Sequence, residues 1–190
     1  MLRKLLAAGV IGTGLVAPLW AASETFDLDS LHTFPSFEVN HLGFSVMRGT
    51  FTSTSGTLTF DEAQKTGSVK ATIDAKSVWT GYDKRDEHLR SKDFFNVEKF
   101  PTLTFEADSF KLEADKPVTV NGNLTMLGVT KPVGLTVQLT KCGNRMDHQY
   151  DCGAIVSTAI KRADWGMNGF EPFIGDDIKI SIEVEALKKK

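Results

Sequence analysis

The alternation of apolar and polar residues predicts an all-β, antiparallel domain, either closed as an eight-stranded barrel or flattened as a sandwich. Three observations carry that expectation. About eight or nine segments place an apolar residue at every second position, as Val69, Ala71, Ile73 and Ala75 do. Short, turn-prone steps such as Leu127-Gly128 join most of them, which suits an up-and-down order. Only the stretch from Gly81 to Thr102 abandons the alternation for a charged, helical pattern.

Taken in order, Phe26 and Leu28 begin the first strand, and Pro35 is expected to interrupt it before Phe37, Val39 and His41 resume the pattern. Gly43 marks a bend, followed by Phe44, Val46 and then Phe51. Leu58 and Phe60 form the apolar face of the next strand, and residues 69–75 the one after it. In the central stretch Asp83 is placed as an N-cap, with Arg85 and Leu89 four residues apart on one face. Phe94, Phe95, Val97 and Phe100 follow, and Pro101 forbids further helix. A short helix among strands needs a surface, and the open end of a barrel or sandwich provides one. Leu103, Phe105 and Ala107 restart the alternation. Val120, Gly122, Leu124 and Met126 lead into the Leu127-Gly128 turn, and Val133, Leu135, Val137 and Leu139 return from it. Residues 152–160 and 178–186 form the last two strands. Between them, Ala163 to Asp177 carries Trp165, Met167, Phe170 and Phe173, a loop expected either to tuck against the core or to border a ligand site.

The length suits one domain. Arg3 and Lys4 precede an uncharged apolar run from Leu5 to Val16, and Ala21-Ala22-Ser23 offers a cleavage site. Residues 1–22 are therefore expected to be a signal peptide and 23–190 the domain, with a periplasmic location. The run falls short of the ~20 residues of a membrane-spanning helix, and no later segment supplies one, so stable membrane insertion is not expected. Loss of the two cations moves the formal charge from −2 to about −4, which argues against nucleic acid. Cys142 and Cys152 are the only cysteines; in an exported chain an even pair is expected to form a disulfide tying a hairpin.

Within the central stretch, Arg85-Asp86-x-His88-Leu89-Arg90-Ser91-x-Asp93-Phe94-Phe95, then Phe100-Pro101, resembles the signature of the YceI-like polyisoprenoid-binding proteins. His32 through His41-Leu42-Gly43 to Gly49-Thr50-Phe51, and Gly122-Asn123-Leu124-Thr125-Met126-Leu127-Gly128-Val129-Thr130-Lys131-Pro132-Val133, agree with it in order and spacing. The resemblance implies a lipocalin-like barrel rather than a sandwich, and a cavity that takes a long isoprenoid chain.

The residues themselves point to no enzyme: no nucleophile elbow, phosphate-cradling glycine loop or dinucleotide fingerprint is present. Arg85 and Asp86, as neighbours on a helix, are not expected to converge on one atom. Arg85 and Arg90 are expected to pair with acids or hold an anion, with Arg85 and His88 as the candidate head-group contacts. No metal site is expected, since the four histidines lack ligand spacing; His41, in phase with Phe37 and Val39, is expected to be a hydrogen-bonded histidine inside the barrel. The candidate lipid contacts are Phe37, Val39, His41, Phe60, Phe94, Phe95, Phe105, Leu124, Met126, Leu135, Val137 and Trp165. Burying about 20 methylene equivalents gains on the order of 16 kcal/mol gross, so the tail dominates affinity and the head group adjusts it. The partner expected is an isoprenoid or other long-chain lipid and no further cofactor; a homodimer is left open. The competing readings are an enzyme acting on such a lipid, which needs a polar cluster at the cavity mouth, and an interaction protein with a filled core.

Overall fold

The computed structural model describes residues 23–113 and 116–189; the expected signal segment and Lys190 lie outside them. The period-two segments form β1 (Glu24–Leu28), β2 (Phe34–His41), β3 (Ser45–Phe51), β4 (Thr54–Asp61), β5 (Thr66–Asp74) and β6 (Val78–Trp79). After the helix α1 (Asp83–Arg90) come β7 (Thr102–Lys111), β8 (Val118–Met126), β9 (Val129–Asn144), β10 (Tyr150–Lys161) and β11 (Ile174–Lys188). β1 and β2 lie end to end against β11, and β4 and β3 lie against them in turn, with β5 and β6 as the next stave. The segments thus merge into eight staves in chain order, and the β1–β11 pairing of Phe26 with Lys188 closes the wall. This is the up-and-down antiparallel barrel, not the sandwich.

Closure depends on a kink. Residues 29–33 leave the sheet between β1 and β2, so the break ends two residues before Pro35, where it is expected. Pro35 instead sits inside β2 opposite Ile182, just before the β2–β3 ladder begins at Ser36, so one flank of the strand is still open there. The kink is stitched back by Thr33, whose buried hydroxyl donates to the Glu185 carbonyl and accepts from the Glu185 N–H. Asp29 N–H also donates to that carbonyl at 2.8 Å.

The two ends of the barrel differ. At the lower end, Cys142 and Cys152 face each other across β9 and β10 and form a disulfide, and Phe60, Phe110 and Leu112 pack beneath it. Tyr150 hydroxyl donates to Glu62 at 2.5 Å, and that bond with the carboxylate pushes the phenol up to about 12. At the upper end, α1 and residues 91–100 lie against the opening. The N-cap is Tyr82 rather than Asp83 and makes no side-chain capping bond; Asp83 and Asp86 sit in the first turn, where their charge favours the helix dipole. Phe95 is buried edge-on against Phe51 with centroids 5.3 Å apart. Arg162, almost fully buried in the 3-10 turn after β10, donates to the carbonyls of Gly175 at 2.9 Å, Met167 at 2.6 Å and Ile174 at 2.9 Å. It clamps the loop from 166 to 173 over the upper end. Arg162→Met keeps the bulk but leaves three carbonyls without this donor, and urea melts should show a loss of about 3 kcal/mol or more. A loss below ~1 kcal/mol would contradict the clamp.

The kink carries a second test. His32 Nδ1 lies 2.7 Å from Asp29, and Arg145 reaches Asp29 at 3.0 Å, Asp151 at 3.7 Å and Glu185 at 3.8 Å. Burial alone would raise Asp29, but bonds from His32, the Leu31 N–H and Arg145 outweigh it and hold the carboxyl below its ordinary value. Burial and contact with Asp151 push Glu185 up. The hydrogen bond to Asp29 raises His32 above its ordinary 6.5. A raised histidine contributes stability that is complete below its unfolded value and disappears as pH rises through the folded one. His32→Gln should therefore lower the melting temperature clearly at about pH 5.5 and much less at about pH 8.5. An equal gap at both would rule out this role for the imidazole.

Candidate ligand-binding site

Because water lies outside the wall, the apolar parity of every strand faces in. The side chains so directed do not fill the lumen. They enclose an upper cavity of about 160 Å³ and a lower one of about 150 Å³. Pro35, Ile73, Phe105, Leu135 and Ile182 border both and form a waist between them. A cavity near 150 Å³ lined by Leu, Ile and Phe stays dry and accepts a benzene-sized molecule, so each chamber has room for several carbons of an apolar chain. The walls are almost wholly carbon. Arg162 borders the upper chamber with its guanidinium bonded to carbonyls, and Thr33 spends its hydroxyl on Glu185 in the lower. Thr54 Oγ1, in the lower chamber, is a buried side-chain polar atom without a hydrogen-bond partner among the described residues.

Two glycines shape this lumen by close approach. A Cβ on Gly122 would lie 2.4 Å from Phe105 Cζ and 2.5 Å from the Glu106 carbonyl oxygen, so only glycine lets the waist ring cross β8. A Cβ on Gly49 would lie 2.4 Å from Phe37 Cζ, and its absence lets Phe37 lie over β3.

Above the upper chamber a vestibule of about 290 Å³ opens, sharing Phe37, Val39, Leu89, Phe94 and Ile174 with it. Among the described residues its polar wall is His41, Arg48, Thr80, Arg85 and His88, without a carboxylate. Arg48 is paired with Glu38 at 2.7 Å and His88 with Asp93 at 3.2 Å. Arg85 donates from Nε to Thr80 Oγ1 at 2.7 Å, from one terminal nitrogen to the Thr80 carbonyl at 2.8 Å, and from the other to Met47 Sδ at 3.3 Å. A guanidinium has five N–H donors, so at least two remain for an anion. Asp86 is buried beside it and accepts from the Thr80 hydroxyl.

Most of the expected residues border a chamber or the vestibule. Phe37, Val39, Phe94, Phe95, Phe105, Leu124, Met126 and Leu135 line the upper chamber; Phe60, Phe105, Leu135 and Val137 line the lower; Arg85 and His88 stand in the vestibule. Three expectations need correction. Trp165 lines neither chamber: the β9–β10 ladder stops at Thr136 and Ser157, and the buried indole packs beside that gap, donating to the Leu124 carbonyl at 3.1 Å. His41 is half-buried in the vestibule wall rather than hydrogen-bonded inside the barrel, because it is the last residue of β2 and meets the opening. Arg85 and Arg90 pair with no acid among the described residues; Arg90 donates instead to the carbonyls of Lys76 and Val78, and Arg85 meets Asp86 through Thr80 because its long side chain folds back past the helix start. Sequence reasoning missed Arg162, whereas the loop expected to tuck against the core or border a ligand site does supply lining, Met167 in the upper chamber and Phe170 in the vestibule. Phe170 stacks on Phe94 at 5.4 Å, with His88 edge-on to both rings, and so joins the loop to the helix segment at the vestibule. An arginine at the end of a strand resembles surface, and nothing in the spacing of Arg162 marks it as lumen. Asp29, His32 and Glu185 bring ligand atoms within 4.8 Å of one another, but at the kink, where Arg145 already balances their charge.

Known proteins agree with this architecture. Residues 26–186 match the YceI-like domain. The chain is 37% identical, over the full length of both, to a UPF0312 protein of Pseudomonas paraeruginosa, and 34% identical, again over both full lengths, to one of Azotobacter vinelandii. Among solved structures, a Campylobacter jejuni YCEI protein superposes with a TM-score of 0.72 at 30% identity, covering 80% of this chain and 90% of that one. A polyisoprenoid binding domain from Saccharophagus degradans superposes with a TM-score of 0.67 at 19% identity, covering 88% of this chain and all of the other. With the domain matched from β1 to β11 and the barrel shared, this chain belongs to the YceI-like family.

Proposed function

We propose that this protein is a periplasmic binding and carrier protein for a long apolar lipid, a polyisoprenoid or isoprenoid quinone. The tail threads the two chambers through the waist, and the polar head rests in the vestibule against Arg85 and His88. The observation that carries the reading is the pair of apolar chambers in series. Cavities of their combined size cost about 7 kcal/mol at roughly 24 cal/mol per Å³. That is comparable with the ~5–15 kcal/mol by which a whole domain is stable, so a barrel used only as a filled core gains nothing from them. A threaded chain restores the missing contacts and removes its own apolar surface from water. The lipid class draws support from the family and from the Saccharophagus degradans domain described as polyisoprenoid-binding.

A binding role without a catalytic step fits the vestibule best. Asp86 is buried and spends its carboxylate on the Thr80 hydroxyl, which in turn accepts from Arg85 Nε, and His88 is held by Asp93. The periplasmic location rests on the signal-like run of residues 1–22 and on the disulfide.

Val137 tests the reading, since it borders the lower chamber alone. In a filled core Val137→Phe would overpack at a cost of about 1–3 kcal/mol. In a lipid chamber the ring takes space meant for the tail, so the melting temperature of detergent-stripped protein should hold while uptake of radiolabelled polyprenol falls roughly tenfold. Clear destabilisation with uptake unchanged would overturn it.

A further inference from the structure

The upper rim carries exposed apolar side chains of a kind the lower end lacks. Phe44 stands at the tip of the β2–β3 turn with 90% of its surface exposed, and Phe173 on the facing loop with 60%. Leu42 and Phe170 are about half exposed beside them. The two loops form one surface: Leu42 N–H donates to the Phe173 carbonyl at 2.7 Å, and Phe170 stacks on Phe94 in the vestibule wall. The turn is held in shape, since Leu42 and Gly43 both have positive φ, Phe44 N–H bonds the His41 carbonyl, and Asn40 accepts from Gly43 N–H. All five exposed aromatics among the described residues, Phe44, Trp79, Tyr82, Phe170 and Phe173, belong to the half of the molecule that carries the opening. At the lower end the exposed apolar residues are Leu31 and Met146, next to the Asp29–Arg145 ion cluster and without an aromatic ring.

Rings that project from fixed turns around the entrance to a lipid chamber are placed to enter the interface of a bilayer, where aromatic side chains are favoured. We infer that the rim formed by Leu42, Phe44, Phe170 and Phe173 is a docking surface for a membrane containing anionic lipid. The charge of the entrance selects that occupant: no carboxylate lines the vestibule wall among the described residues, Glu38 and Asp93 at its edge are spent on Arg48 and His88, and Arg85 keeps donors to spare just inside the rim, toward a lipid phosphate. A lipid then passes between bilayer and lumen without its tail crossing water. The inference rests on the lumen as the cargo site, but docking itself is measured without cargo.

Flotation of the purified, oxidised protein with phosphatidylcholine vesicles, with and without about 30% phosphatidylglycerol, tests it. The protein should float with the anionic vesicles, less with phosphatidylcholine alone, and less as salt rises. Phe44→Ser and Phe173→Ser, both at exposed positions, should each lower the bound fraction about tenfold while keeping the parent melting temperature and detergent-delivered polyprenol uptake. Protein that stays in the aqueous fraction with both vesicles, or rim variants that float like the parent, would overturn docking. So would a parent dimer in sedimentation equilibrium that Phe44→Ser splits without any vesicle binding, which assigns the rim to a second copy. Flotation lost in the rim variants of a protein that takes up no polyprenol would uphold docking and remove the cargo reading.

Discussion

Closure of the wall between β1 and β11 is the constraint on which the rest of the molecule depends. An open sheet of these strands would have two faces and two edges; a closed one has a single interior, and every apolar parity must then point into it. Closure is achieved across a kink, where Thr33 and Asp29 satisfy the backbone of Glu185 although the ladder is interrupted. The ion cluster of Asp29, His32, Arg145 and Glu185 ties β1, the β9–β10 loop and β11 together at the same place. The Cys142–Cys152 bond holds the neighbouring hairpin, closing a short loop whose cross-link is worth roughly 2–3 kcal/mol in the chain-entropy model. The lower end is thus the anchored end.

With that end fixed, the interior becomes a question of volume. Side chains of ordinary size fill an eight-stranded barrel when large rings cross the axis. Here two of the largest, Phe37 and Phe105, are instead laid over the glycines of adjacent strands, Gly49 and Gly122. The result is a narrowed waist with space above and below it. The upper end is assembled from α1, residues 91–100 and the loop held by Arg162, and it leaves a polar vestibule rather than a lid.

Much of this was legible in the sequence because strand parity is a local signal. Eleven of the twelve residues expected to meet the lipid border a chamber or the vestibule; nine of them lie on strands, where a period of two leaves each side chain one choice of face, and Phe94 and Phe95 lie in the segment after the helix. The family motifs carried the choice of barrel over sandwich, and two of their glycines now have a steric reason. What stayed hidden depends on tertiary placement. Trp165 is as apolar as any lumen residue, but the early end of the β9–β10 ladder provides a slot outside the cavity. Arg162 was indistinguishable from a surface arginine until three carbonyls converged on it. The N-cap moved one residue to Tyr82 because the helix takes Asp83 into its first turn. No local pattern encodes such events.

Native mass spectrometry of the protein as purified is the most direct test of the proposal that the lumen holds one long lipid. The expected species is heavier than the polypeptide by one prenyl-chain lipid, a difference lost on detergent stripping and restored by added polyprenol. A bare polypeptide mass that added polyprenol leaves unchanged would contradict it.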